Sequence, residues 1–378
     1  MSDSRLHLFD LNREAIEGLL ARRDVAPWRA SQILKWLYHQ RELDVACMTN
    51  LSKSLRGEIA ALTDAQLPEV LEERVAADGV RKFLMRPIGL GVSQAIETVL
   101  IPDGSRNTLC VSSQVGCALG CTFCATGKQG FSAHLRTADI IGQAWLVQGR
   151  LKELGDSRGI TNVVFMGMGE PLLNFEPVMR AVDLLLDDCA FGLANHRVTI
   201  STAGLVPGID AMIGRTSSSL AISLHAATDE LRSQLVPINR KYPISRLLAS
   251  AKAYLGSLGP RRRLTMEYTL IRGVNDSIQD AKALVKRLAD VRCNINLIPF
   301  NPIEGSDFER PIMRSIRDFQ RVLLDSGLAS IVRKTRGDDI DAACGQLVGG
   351  VQAGRSTIRT QSFASEQIPT VAVAGSFA

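Results

Sequence analysis

The chain has 378 residues, of which 46% are hydrophobic and 22% are charged, as in an ordinary soluble globular protein. This length suffices for two or three domains, and the net charge of +5 permits a polyanionic partner without requiring one. The sequence has no uninterrupted apolar run of about 18 residues and no apolar signal core at its start, so we expect a cytoplasmic protein without a membrane span.

Residues 1–78 are predicted to form a small helical accessory domain, because apolar residues recur at helical spacing over 12–20 and 30–38. Basic and aromatic residues are interleaved there, including Arg29, Lys35 and Trp36. This pattern fits RNA contact, and it fits a solvated basic face equally well. Residues 79–105 change to a strand pattern and are predicted to form a β-hairpin that links this domain to the next.

Between residues 106 and 350, short β-rich segments alternate with helical segments, which predicts a parallel sheet that forms a barrel or part of one. The predicted strands are 108–113, 162–166, 197–202, 220–224, 264–270, 294–298 and 329–333. The predicted helices include 137–149, 176–188, 244–255, 277–289 and 312–325. The tail, residues 351–378, is rich in small and polar residues and is predicted to be disordered.

Three of the eight cysteines, Cys117, Cys121 and Cys124, have C-x3-C-x2-C spacing just after the first predicted strand of this region. Three thiolates can bind three corners of a four-iron cluster and leave the fourth iron open for chemistry. Zinc is the alternative, but it would require a fourth Cys or His nearby, and the closest histidine is His134. The spacing therefore favours an open iron–sulfur cluster.

Four later predicted strands end in short polar or glycine-rich motifs, at residues 167–171, 201–204, 223–225 and 300–302. Because the carboxyl ends of parallel strands meet at one edge, we expect these motifs to converge with the cysteine loop. Glycine would allow close backbone approach, a glutamate could accept from an amine, and serine or asparagine could bind a ribose or a carboxylate. The candidate cofactor-binding residues are Gly169, Glu170, Ser201, Ser223, Leu224, His225 and Asn301.

The cysteine triplet and the Gly-Met-Gly-Glu-Pro turn together resemble the radical S-adenosylmethionine (SAM) superfamily. More narrowly, residues 109–117, 167–174 and 336–345 closely resemble the RlmN/Cfr family of methyltransferases, which act on adenosine in 23S rRNA. The resemblance spans roughly residues 10–350. It implies a partial (β/α)6 TIM-like barrel, a [4Fe-4S] cluster on the three cysteines, and two molecules of SAM per turnover.

The resemblance also gives roles to three residues outside these motifs. Cys344 matches the cysteine that carries the methyl group, Cys110 the resolving cysteine that forms a transient disulfide with it, and Glu97 the proton acceptor. From the sequence alone, Cys344 could be an incidental surface thiol, Cys110 a core residue and Glu97 a solvent-facing strand position. The cysteines without a matching position, which we expect to be structural, are Cys47, Cys189 and Cys293.

The implied reaction is methylation of adenosine at C2 in the peptidyl transferase centre of 23S rRNA, and in tRNA next to the anticodon. Because C2 is electron-poor, direct transfer from a sulfonium is unfavourable, and a carbon radical on the Cys344 methyl group avoids the difficulty. Methylation at C8, as in Cfr, uses the same parts and stays open. The expected partners are 23S rRNA, tRNA, a cytosolic electron donor and a thiol reductant, and the chain is expected to be a monomer.

RNA contact is expected from the N-terminal domain and from the basic residues 261–263. A target base would have to leave its stack to reach an interior site. A zinc-bearing RNA-binding protein without redox chemistry is the alternative from another functional class.

Overall fold

The structure is a computed structural model that describes residues 5–349, so the predicted disordered tail lies outside the described residues. The strands, in chain order, are β1 Leu6–His7, β2 Thr63–Asp64, β3 Glu69–Val75, β4 Arg81–Arg86, β5 Ile96–Asp103, β6 Arg106–Cys110, β7 Gln114–Gly116, β8 Phe131–His134, β9 Asn162–Phe165, β10 Val198–Thr202, β11 Ser219–Ser223, β12 Leu264–Leu270, β13 Cys293–Pro299 and β14 Ser330–Val332. The helices are α1 Arg13–Ala21, α2 Arg29–Lys35, α3 Lys53–Leu62, α4 Ala125–Gln129, α5 Thr137–Glu153, α6 Phe175–Leu186, α7 Val206–Met212, α8 Asp229–Leu235, α9 Ile244–Ser257, α10 Ile278–Leu288 and α11 Met313–Asp325.

A ten-stranded sheet with the order β14-β13-β12-β11-β10-β9-β6-β5-β4-β3 forms the centre of the molecule. Seven strands of this sheet, β6 and β9–β14, are parallel to one another. Helices connect them as six β/α units, and β14 follows the last unit. Among residues 5–349, β14 does not pair with β6, so the barrel is open on that side. The predicted partial (β/α)6 barrel is confirmed, and each predicted strand and helix overlaps an observed one.

The predicted hairpin is confirmed as β4 and β5, which are antiparallel and continue the sheet beyond β6. A further strand, β3, pairs antiparallel with β4, so the prediction of a helical domain over residues 1–78 is wrong for Glu69–Val75. Most residues of β3 are exposed, and ion pairs such as Arg81–Glu73 join it to its neighbour. Because this edge strand is polar, it lacks the apolar alternation that predicts a strand.

The N-terminal helices pack against α5 through an aromatic cluster. The ring of Phe9 makes edge-to-face contacts with Tyr38 at 5.5 Å and with Trp145 of α5 at 6.1 Å between centroids. The Trp145 indole donates to the Leu37 carbonyl at 2.8 Å. The predicted helical module is thus fixed to the outside of the barrel by buried aromatic area as well as by hydrogen bonding.

Residues 336–349 follow β14 and cross to the β4–β5 hairpin. The Arg336 guanidinium binds the Asp78 carboxylate at 2.6 Å and donates to the Pro102 carbonyl at 2.9 Å. The backbone N–H of Ala77 donates to the Asp339 carboxylate at 3.0 Å. These contacts carry the segment, and Cys344 with it, over the open side of the barrel. None of the described helices is long and apolar enough to span a membrane.

Candidate active site

A cavity lies inside the open barrel and encloses about 970 Å³, including its open mouth. Loops at the carboxyl ends of the parallel strands converge on it, as expected for this kind of sheet. The predicted site residues that line it are Cys117, Cys121, Cys124, Gly169, Glu170, Ser201, Ser223, His225, Asn301 and Cys344. Glu97, Cys110 and Leu224 lie outside this lining.

The cysteine loop runs from β7 to α4 and is fixed by its backbone. Gly116, with φ of +73°, precedes Cys117, and a Cβ at Gly116 would come 1.9 Å from the carbonyl oxygen of Gly130. That same carbonyl accepts a 2.8 Å hydrogen bond from the Cys117 N–H. At the other end of the loop, the Ala125 N–H donates to the Gly345 carbonyl at 2.8 Å, which ties the loop to the segment that carries Cys344.

The three thiols lie among other thiols and carboxylates in a largely desolvated environment. Burial, followed by smaller effects of nearby charged groups, raises the pKa of Cys117 to about 12 and that of Cys121 well above its ordinary value.

The turn after β9 brings Glu170 into the cavity wall. Gly169 has φ of +96°, and a Cβ there would lie 2.5 Å from the Gln114 side chain, so only glycine fits. The Glu170 carboxylate accepts from the backbone N–H groups of Leu172 at 3.2 Å and Ala203 at 2.8 Å. Burial raises the pKa of Glu170 to about 7. Glu170 therefore joins the ends of β9 and β10, in addition to its predicted contact with an amine.

A fully buried arginine that the sequence analysis missed, Arg232, organises the ends of β10 and β11. Its guanidinium donates to the carbonyls of Ala203 at 2.6 Å, Ser223 at 3.0 Å and Leu224 at 3.0 Å, and to the side chain of Asn239 at 2.9 Å. Burial lowers the pKa of Arg232 to about 10. Leu224 thus contributes to the site through its backbone, while its side chain is buried.

The buried His225 has φ of +58°, and its Nδ1 accepts from the Thr269 N–H at 3.0 Å. Burial lowers the pKa of His225 to about 3, so the ring is neutral and its proton is on Nε2. Phe123 of the cysteine loop contacts the ring edge-to-face at 4.5 Å. His225 therefore supports the cysteine loop from the β11 end.

Cys344 faces the cavity, and its side chain is solvent-accessible there although protein atoms surround it on the other sides. The Asn301 side chain donates to the Cys344 carbonyl at 3.2 Å, so the predicted cofactor-binding Asn301 also positions the methyl-carrying candidate. Cys110 is the last residue of β6. Burial, and secondly the charge of nearby Cys344, raise the pKa of Cys110 to about 12. Both cysteines are free thiols in the structure.

Glu97 is buried on β5, so the interpretation of this residue as a solvent-facing strand position is wrong. Its carboxylate forms a 3.0 Å ion pair with the Lys82 ammonium, and both side chains are less than a tenth exposed. Lys82 was not predicted as a site residue, because strand alternation alone predicts that a lysine there faces solvent.

The chain is similar to known protein families over both its N-terminal and its central part. The model of the ribosomal RNA large subunit methyltransferase N-terminal domain matches residues 6–64, and that of the radical SAM superfamily matches residues 111–286. The dual-specificity RNA methyltransferase RlmN of Marinobacter nauticus is 48% identical over 364 residues, which cover 96% of this chain and 97% of that protein. The corresponding protein of Pseudomonas putida is 48% identical over 355 residues, covering 93% and 92%.

The chain belongs to the RlmN family. A crystal structure of a radical SAM methyltransferase from Sphaerobacter thermophilus agrees, with a TM-score of 0.82 and 43% identity over 90% of this chain and 99% of that one. The protein is therefore a radical SAM RNA methyltransferase. Membership of the radical SAM superfamily implies a [4Fe-4S] cluster and SAM as cofactors.

The residues present fit these RlmN-family cofactors. The three cysteines offer the soft thiolate ligands that iron–sulfur clusters use. Glu267 on β12, which the sequence analysis also missed, lines the same cavity and is 4% exposed. Its Oε1 accepts from the Asn296 side chain at 2.9 Å, whereas its Oε2 has no hydrogen-bond partner among residues 5–349. A buried acceptor without a partner costs about 1–3 kcal/mol, so this oxygen is available for a hydroxyl or amine of a bound ligand.

Proposed function

We propose that this enzyme methylates C2 of adenosine in the peptidyl transferase centre of 23S rRNA, and in tRNA beside the anticodon. The proposed route is a methylated Cys344 and a transient disulfide between Cys344 and Cys110. The observation that carries the proposal is that Cys344 lines the same cavity as the cysteine triplet, with Cys110 as its electrostatic neighbour. The proposed base, Glu97, contacts the segment that carries Cys344, because its carboxylate accepts from the Val348 N–H.

When bound at the three cysteines, the cluster and SAM supply the methyl group and the one-electron chemistry that makes it reactive. The chain then supplies two thiols and a base. Cys344 holds the carbon that bonds to the adenine, so that enzyme and RNA are covalently joined through its sulfur. Glu97 accepts the ring proton at C2, and the unpaired electron of the adduct must leave through the one-electron chemistry that the cofactors would supply.

Release of the RNA requires that the bond between the Cys344 sulfur and the new methyl carbon breaks. The thiolate of Cys110 attacks that sulfur and forms the disulfide, and the electron pair of the broken bond goes to the carbon, which takes up a proton. The two cysteines are oxidised together, and a thiol reductant must restore them. The raised pKa of Cys110 means that few Cys110 groups are ionised at neutral pH.

The cavity is open at the carboxyl ends of the strands, so a flipped base would enter from that edge. Residues 261–263 immediately precede β12 and therefore lie at the opposite edge of the sheet. The N-terminal domain, residues 1–78, is the better candidate for RNA contact. Its Trp28 is 58% exposed, and the Arg29 guanidinium lies 4.7 Å from the centroid of that ring, which offers a stacking and phosphate-binding surface.

We further propose that the enzyme acts as a monomer in the cytoplasm, where an electron donor and a thiol reductant are present. The absence of a membrane-spanning helix among the described residues is compatible with this location. We also propose a hairpin linker at residues 79–105 and a radical SAM core at residues 106–350. The order of the sheet from β4 to β14 supports this division.

Two cysteine variants test the proposal. We expect Cys110→Ala to accumulate a covalent RNA adduct that survives denaturing electrophoresis, and Cys344→Ala to form none. Cys293→Ala is the matched control, because Cys293 is also buried on a strand of the sheet, and it should release product like the wild type. Equal adduct formation by the Cys110 and Cys344 variants would overturn the two-cysteine route.

A further inference from the structure

A buried lysine on β4 contacts the carboxylate that the proposed function uses as its base. Lys82 Nζ lies 3.0 Å from Glu97 Oε1, and the two side chains are 6% and 7% exposed. Lys82 pairs with Val99 in the antiparallel ladder and Glu97 pairs with Leu84, so the two residues are diagonal neighbours on one face of the hairpin. The cation is therefore built into the same rigid hairpin as the base.

Both members of this pair also hold the segment that carries Cys344. Lys82 Nζ donates to the Asp341 carbonyl at 3.1 Å, and Glu97 Oε2 accepts from the Val348 N–H at 2.9 Å. Cys344 lies between these two anchor points. The Glu97 backbone is fixed in turn, because its carbonyl accepts from the Ser112 hydroxyl at 2.6 Å. Base and methyl-carrying segment are thus connected through Lys82.

The physical consequence concerns the position of the Glu97 carboxylate. A buried carboxylate that loses its cation loses a charge-assisted hydrogen bond and the counter-ion that holds it in place. Arg74 on β3 is a further cation near Glu97, but its side chain is half exposed, so water screens it. Lys82 is buried and contacts the carboxylate directly, at 3.0 Å.

We infer that Lys82 is a positioning residue that fixes the Glu97 carboxylate against the segment carrying Cys344. This inference rests on the proposed function, since it assigns Lys82 a role only through the base. It predicts that loss of the Lys82 charge affects proton removal and release of the RNA, and leaves the earlier methylation of Cys344 largely intact.

The test compares Lys82→Met, Lys82→Arg and Glu97→Gln in three measurements on the loaded enzyme. These are methylation of Cys344 by peptide mass spectrometry, the covalent RNA adduct on denaturing gels, and released methyladenosine. We expect Glu97→Gln to slow release by about 100-fold, and Lys82→Met to slow it by at least about tenfold with adduct accumulation. Lys82→Arg should recover most of the release rate, and the exposed Lys286→Met should match the wild type.

A double variant separates action through Glu97 from a general effect on the fold. If Lys82 acts through the base, adding Lys82→Met to Glu97→Gln should slow release by less than about twofold further, because the two changes share one mechanism. A multiplicative loss in the double variant would overturn the inference. So would an equal fall of Cys344 methylation and release in Lys82→Met, or release by that variant at the wild-type rate. If the wild type releases no methyladenosine, the proposed function itself fails, and this inference with it.

Discussion

The turn before the first cluster cysteine offers a sharp test of how the fold builds the metal site. Gly116→Ala and Gly120→Ala both place a side chain in the left-handed region, since their φ values are +73° and +63°. The two positions differ in one respect. A Cβ at Gly116 would collide with the Gly130 carbonyl at 1.9 Å, whereas a Cβ at Gly120 meets nothing within 4 Å.

In each variant, an alanine at positive φ costs about 1–2 kcal/mol of stability. Gly116→Ala additionally displaces the carbonyl that accepts from the Cys117 N–H at 2.8 Å, and losing that hydrogen bond adds about 1 kcal/mol. Because this hydrogen bond fixes the backbone of Cys117, its loss displaces the cluster ligand itself. We therefore expect Gly116→Ala to bind less iron as well as to be less stable than Gly120→Ala.

The assay is iron content and cluster absorbance after anaerobic reconstitution, together with the midpoint of thermal unfolding. The wild type should bind about four irons per chain. Gly120→Ala should bind nearly as many, and Gly116→Ala fewer than about half, because a displaced ligand weakens the whole cluster. Equal iron content in the two variants would refute the reasoning that the Gly116 turn sets the position of Cys117.

Two further predictions concern residues that the sequence analysis missed. Arg232→Met should lower the free energy of unfolding by about 3 kcal/mol in urea titration, because it leaves buried carbonyls at the ends of β10 and β11 without their donor. The control Arg240→Met, at an exposed position, should change it by less than about 0.5 kcal/mol. Similar losses from both arginine variants would contradict this role. Glu267→Ala should weaken SAM binding about tenfold in equilibrium dialysis, because it removes the unpartnered carboxylate oxygen from the cavity. The control Glu230→Ala, at an exposed position, should leave SAM binding unchanged. Unaltered affinity in Glu267→Ala would show that this oxygen does not contact the cofactor.

Local motifs made much of the site predictable. The cysteine triplet and the Gly-Met-Gly-Glu-Pro turn are contiguous, so their spacing carries their chemistry without knowledge of the fold. The parallel strands were predictable as well, because short β-rich segments such as that of β12 alternate with helical segments. Parallel topology then brings Ser201 and Ser223 to the same edge.

The other residues of the site depend on contacts distant in sequence. Arg232 is a charged residue on a short helix, and nothing in its neighbourhood indicates that four acceptors surround it. Lys82 and Glu97 occupy strand positions that alternation would place in solvent, and they are buried because residues 336–349 cover them. Cys110 and Cys344 were assigned by resemblance alone. Their proximity follows from the sheet and from the path of the C-terminal segment, which no local pattern encodes.

The most direct measurement of the central claim is mass spectrometry of the nucleosides in unmodified 23S rRNA and tRNA after incubation with the reconstituted enzyme. The proposed function predicts 2-methyladenosine in both RNAs. It should be lost in the Cys344→Ala variant. The finding of 8-methyladenosine without 2-methyladenosine, or of no methylated adenosine at all, would contradict the account.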